Sequence, residues 1–250
     1  MRTSLFIPVL ACLLLGACAS LPKPLAIGEV VRLSKSGTDP RRVNESITRS
    51  RTSYALRGAD FGRLAQRGVA SDVLDSLQNG LVANVDTLTR FQALGESYGG
   101  CDACYPQPVD LATLDTGGDG MTGVRNLGRS SSFARPQGVP EWVPATPAGV
   151  GTALIGAQEV LDWHRQSLAA GEIVDRVRGV RFTPVLDNKG LLAGGLTSKF
   201  KPGLSGSQLA DLAKAGVPDD ALDALQAIFL AGYVDFAYSY YRNLGKGPNP

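Results

Sequence analysis

The chain has 250 residues, with 25 Lys and Arg against 23 Asp and Glu, a formal net charge of +2, and 44% hydrophobic residues. That size holds one large domain or two small ones, and 30 glycines with 15 prolines reserve part of it for loops. A single histidine, His164, confines any Ser–His–Asp triad or histidine-based metal set to one position. The charge is unevenly spread: 21–70 carries ten Lys and Arg against four acids, whereas 71–120 carries eight acids against Arg90 alone. The two stretches facing each other across one fold, or plain solvation, is the first reading, and contact with anionic lipid headgroups is the alternative.

Arg2 opens the chain, and a mostly apolar run over 5–15 ends on small residues in "LLLGACAS". That order of charged, apolar and small segments is the pattern of an export signal. The apolar part is shorter than the roughly 20 residues a membrane span requires. "LGAC", Leu15 to Cys18, resembles the lipobox of bacterial lipoprotein precursors. The resemblance implies that 1–17 is removed as a signal peptide, that the Cys18 thiol carries a diacylglycerol, and that the new amino group is acylated. Ala19, in place of the Asp that holds family members in the inner membrane, implies an outer-membrane address. Residues 18–26, with "SLPKP", then form a stiff polar tether to the membrane. Processing leaves 233 of the 250 residues, outside the cytoplasm, where nucleic acid is not an expected partner.

A first helical unit is read over 27–98. Val30, Val31 and Leu33 begin an apolar face, "KSGTDP" interrupts it, and Val43 and Ile47 resume it. Leu56, Phe61 and Leu64 precede a stop at Gly68, and Ser71 is the expected N-cap of the next helix, with Val73, Leu74 and Leu77 buried.

Over 99–151 the chain turns to Gly, Pro, Ser and Thr, a composition too poor in apolar residues for a domain of its own, and reads as a long loop or linker pinned by Trp142 and the Cys101–Cys104 turn. "CDAC" places Cys101 and Cys104 in an oxidising compartment, where a local disulfide is the first expectation. A redox centre wants a helix start to lower a thiol pKa, and "YGGCDACYPQP" offers loop on both sides. "DTGGDG", Asp115 to Gly120, imitates a calcium loop, but Gly117 and Asn126 stand where ligands belong.

The second unit, 152–244, repeats the first. "LAQRGVASDVLDSLQ" (64–78) recurs as "LAKAGVPDDALDALQ" (212–226), nine of fifteen positions identical at an offset of 148. "EVVRL" (29–33) matches "EVLDW" (159–163) at an offset of 130, and the difference is an 18-residue insertion over 187–204. Pro218 and Asp219 are the expected start of the last helix, Asp219 as its cap. The Gly-Val turn reads as a packing unit rather than a DNA reader, and resembles short helical repeats of exported bacterial proteins, a likeness that implies no activity. "GLLAGGLTSK" fails as a phosphate loop because Leu196 replaces its lysine. His164, on a helix beside Trp163, is read as a packing or surface residue.

The last helix carries Phe229, Tyr233, Phe236 and Tyr240 on one face, with Tyr238 and Tyr241 on others. Core closure is one account of that face; with Trp142, Tyr233, Tyr238, Tyr240 and Tyr241 are also the candidate contacts for a partner. The expected architecture is therefore mainly α. Two related helical units pack as one pseudo-symmetric domain around the 99–151 loop, and a tail occupies 245–250. The expected function is a membrane-anchored, non-enzymatic envelope component that binds or scaffolds an envelope protein. No cofactor, metal or catalytic set is read. A periplasmic hydrolase built on acids is the alternative.

Overall fold

The computed structural model describes residues 24–96, 105–122, 136–144, 156–179 and 204–244. Cys18, Cys101 and Cys104, the leader, the 245–250 tail and all but the last residue of the 187–204 insertion lie outside the described residues.

Local chemistry sets the helix ends. α1, Ile27–Lys35, closes where Gly37 takes a left-handed φ of 73° and the Thr38 amide returns to the Leu33 carbonyl at 3.2 Å. Asp39 then accepts the Arg41 amide at 2.9 Å, and Pro40 fills the first position of α2, Pro40–Ser50. α3, Gly58–Gln66, begins with the Asp60 carboxylate reaching back to the Arg57 amide at 2.8 Å. It ends on Gly68, whose φ of 87° lets the Val69 amide bond the Leu64 carbonyl at 3.1 Å. α4, Ser71–Ala93, starts one residue earlier than the sequence suggests. Ala70 holds the extended cap conformation and accepts the Val73 and Leu74 amides, so Ser71 is the first helical residue and not the cap.

α5, Ala157–Arg165, and α6, Ala170–Arg178, begin 130 residues after α1 and α2. α7, Gly206–Lys214, and α8, Asp219–Leu244, begin 148 residues after α3 and α4. Those are the two offsets of the sequence likeness. Gly216 closes α7 with a φ of 90°, as Gly68 closes α3. Pro218 accepts the Ala221 and Leu222 amides, so Asp219 too stands one place inside its helix rather than at the cap.

The contacts between the two sets of helices are reciprocal. Gln78 donates to the Gln226 side-chain oxygen at 3.0 Å, and Gln226 donates back to that of Gln78 at 2.8 Å, both fully buried. Asp223 accepts the Ala59 amide at 2.9 Å, and Asp75 accepts the Ser207 amide at 2.7 Å. Gly58 lies on the Leu222 carbonyl and Gly206 on the Leu74 carbonyl, each with no room for a Cβ. Exchanging residues 148 apart maps each contact onto its partner. α3 packs on α7 and α8, and α4 on α8 and α7, around a single apolar cluster that runs from Ile27 to Tyr241.

Among the described residues the structure is mainly α, with one 3₁₀ helix, Leu111–Thr116, and no strand. The described parts of the 99–151 stretch are fastened down rather than strung between units. Gln107 exchanges backbone hydrogen bonds of 2.8 Å with Ser53 and Ala55, and Leu111, Val139 and Val143 are buried. No described helix is long and apolar enough to cross a membrane.

Candidate functional site: a charged cleft beside Trp142

Arg57, Asp60, Arg63 and Arg67 follow one another at three- and four-residue steps, so α3 and its two cap residues carry them along one side. That side faces the 3₁₀ helix, the 138–142 turn and Asp223 of α8, and together they enclose an open cleft of about 930 Å³.

Its charges are knitted together. Asp60 is only 9% exposed; besides the Arg57 amide it accepts Arg63 Nη1 at 3.1 Å. Burial pushes its carboxyl above the ordinary range, with Asp223 adding to the rise, while the Arg57 amide and Arg63 oppose it. Arg63 also reaches Asp219 Oδ2 at 2.7 Å. Arg67 donates through one nitrogen to both oxygens of Asp115 at 2.9 Å, so a cation of the basic stretch does face an acid of the acidic one. Arg57 stands 3.7 Å from Asp223. Asp110 accepts the Ala112 amide at 3.0 Å.

Trp142 is half-buried at the cleft's edge and also borders a second cavity of about 570 Å³, between α6 and α8. Arg57 and Asp223 border both as well. Trp142 thus stands between two adjoining cavities, with guanidinium groups on their walls. Aromatic and arginine side chains in that setting suit recognition of a polar partner. Proton transfer is less well served, since Asp60, Asp110, Asp115 and Asp223 each already accept a backbone amide or a guanidinium.

A helix of this length does not require these arginines. At the matching positions α7 and its flanks have Ser205, Gln208, Asp211 and Ala215, and α7 forms to the same length. The cleft's arginines thus belong to α3 and its flanks alone. Its sequence signal was the spacing R-x2-D-x2-R-x3-R over 57–67, which shows a charged helix side but not the wall opposite it.

The candidate partner contacts divide. Tyr233 and Tyr241 are 1% and 7% exposed, and their hydroxyls donate to the two oxygens of Asp86 at 3.1 and 2.9 Å. They belong to the interior, and their place among surface contacts is corrected accordingly. Burial raises the pKa of Asp86 and of both tyrosines. Tyr238 and Tyr240 remain half-exposed, Tyr240 stacked on Phe236 with centroids 6.5 Å apart. His164 is half-buried on α5 and lines neither cavity. Beside it Trp163 carries the Arg176 guanidinium over its ring at 5.5 Å. Asp115 is committed to Arg67 and Asp119 to the Met121 amide, and the described residues contain no group of three or more His, Cys, Asp or Glu side chains that could hold a metal ion.

No family model matches the chain, and neither a curated protein nor a solved structure is significantly similar to it.

Proposed function

We propose that this chain is a lipid-anchored component of the bacterial cell envelope that binds a partner through the Trp142 cleft, without catalysing a reaction. The observation that carries the binding reading is the cleft itself. Arg57, Arg63, Arg67 and Trp142 stand around an open groove whose four aspartates are spent holding its frame. Pre-positioned guanidinium and indole groups are the residue types that dominate binding energy at interfaces. The address rests on "LGAC" and its flanks.

A photo-reactive residue at position 142, activated in intact envelopes, is expected to give one dominant adduct with an envelope protein. Arg63→Ala should weaken that adduct by tenfold or more, about 1.4 kcal/mol of binding. The same adduct from a photo-reactive residue at Glu172, on the exposed side of α6, would refute the cleft as the site. Cys18→Ala should release the protein from the membrane fraction.

A second reading, an envelope hydrolase with Asp60 as proton donor, is favoured by the raised pKa of that buried carboxyl. Turnover of an envelope polymer that Asp60→Asn abolishes, with binding retained, would select it.

A further inference from the structure

On the premise that Cys18 carries lipid, we infer that the outer face of α2 lies against an anionic lipid surface and sets how the protein stands on its membrane. Val43, Ile47 and Ser50 are buried and fix the rotation of α2. Arg41, Arg42 and Arg49 consequently lie on the opposite side, all exposed, with Glu45 the one acid among them. Lys35 at the end of α1 and Arg51 at the end of α2 are exposed as well. Among the described residues the ion pair in these two helices is Glu29 with Arg32, which leaves all five cations unpaired.

The point where the chain enters the fold supplies the second observation. The Leu25 amide donates to Thr52 Oγ1 at 3.0 Å, and the Tyr54 hydroxyl donates to the Leu25 carbonyl at 2.8 Å. The inner end of the tether is thereby fastened at the carboxy end of α2, beside Arg51. Six residue steps separate Cys18 from Pro24, a reach of at most about 22 Å. A lipid on Cys18 therefore brings the headgroup layer close to this end of α2, where each cation near an anionic leaflet strengthens partitioning about fivefold.

The second copy supplies the third. At the matching positions α6 and its C-cap have Gly171, Glu172 and Gly179 in place of Arg41, Arg42 and Arg49, and it folds as an amphipathic helix all the same. Packing does not call for the arginines. They occur in the set of helices that carries the tether, and phosphate-bearing headgroups are what a net-basic guanidinium face at a membrane would meet.

Residues 18–250 with Cys18→Ser retain every described element and give a soluble probe. Sedimentation with vesicles of phosphatidylcholine plus phosphatidylglycerol should show binding that salt weakens, against little on phosphatidylcholine alone. Arg41→Gln, Arg42→Gln and Arg49→Gln should each reduce it about fivefold. Arg165→Gln, on α5, should leave it unchanged. Equal binding to neutral vesicles, equal loss from Arg165→Gln, or tighter binding to duplex DNA than to anionic vesicles would overturn the inference. On the natural protein, a fluorophore at Thr48→Cys should be quenched by headgroup-labelled lipid in anionic vesicles and recover with salt, whereas one at Gln166→Cys should not respond. An unmodified Cys18 in the mass of the natural protein would end the anchor reading alone, since vesicle binding by the soluble chain still decides the α2 face.

Discussion

Asp86 follows Gln78 and Val82 at four-residue steps along α4, a register that carries it into the core at 3% exposure. The Tyr233 and Tyr241 hydroxyls give it two donors, yet burial outweighs them and Arg90, and its pKa stands above the ordinary carboxylate value. A folded-state pKa above the unfolded one means that the folded chain holds the proton more tightly. The stability this group contributes is fully present below its unfolded pKa, about 4, and is lost as pH rises through the raised folded value. Asp86→Asn removes the titration. In paired thermal melts the variant should gain on the parent as pH climbs from about 4 to 7, Asp60 cancelling because both proteins carry it. A difference that is flat, or that runs the other way, would mean that the two tyrosines hold the carboxylate at or below its usual pKa. Glycines at the same scale give a steric test. A methyl at Gly58 or Gly206 meets a backbone carbonyl of the opposite half, whereas Gly80 has open space around it. Alanine at either of the first two should cost about 1–3 kcal/mol in urea unfolding, with similar values because the contacts are reciprocal. Gly80→Ala should stabilise by about 0.5–1 kcal/mol, the usual gain inside a helix.

At the scale of elements, α4 and α8 meet through the Gln78–Gln226 pair, in which each amide is donor and acceptor to the other. Leucine at one position strands the partner's amide in the core and should cost about 1–3 kcal/mol. Leucine at both removes donor and acceptor together, so a double-mutant cycle should show a coupling of about 0.5–3 kcal/mol in favour of the double variant. Gln78→Leu should be the worse single change, because Gln78 also donates to the Leu204 carbonyl at 3.3 Å. Additive losses would show that the pair is not coupled. The helices themselves were legible in the sequence where their signals are local: Pro40 starts α2, and Gly37, Gly68 and Gly216 end α1, α3 and α7. Caps were misread by one residue, since Ala70 and Pro218, whose side chains have no hydrogen-bond acceptor, leave no mark that separates them from the residue after. The fate of Tyr241 was not legible at all, because a carboxylate 155 residues away decides it. The cleft was half visible. Its α3 side has helical spacing, but the opposite wall comes from 106–115 and 138–142, where Leu111 and Val139 anchor a stretch without periodicity or bulk.

For the whole molecule, the decisive fact is where each helix finds its cover. α3 packs more extensively on α7 and α8 than on its own neighbour α4, and α8 more on α4 and α6 than on α7. Neither half encloses its own interior, so separating them would expose Phe61, Leu74, Leu222 and Phe229 together with the Gln78–Gln226 amides. Burial on that scale couples the halves energetically, and a unit of about 70 residues with an open apolar side has little stability of its own. The described body should therefore unfold in one cooperative transition. Its two tryptophans report from different places, Trp142 at the cleft and Trp163 on α5, and far-UV circular dichroism reports from all the helices. Single-tryptophan variants, each keeping one of the two, should give midpoints and slopes in urea that coincide with each other and with the dichroism. Gly58→Ala, placed in the first half, should shift all three signals by the same amount. Separate transitions would require two lobes with private cores, and the cleft, walled by α3 from one half and Asp223 from the other, would then open before either lobe melted.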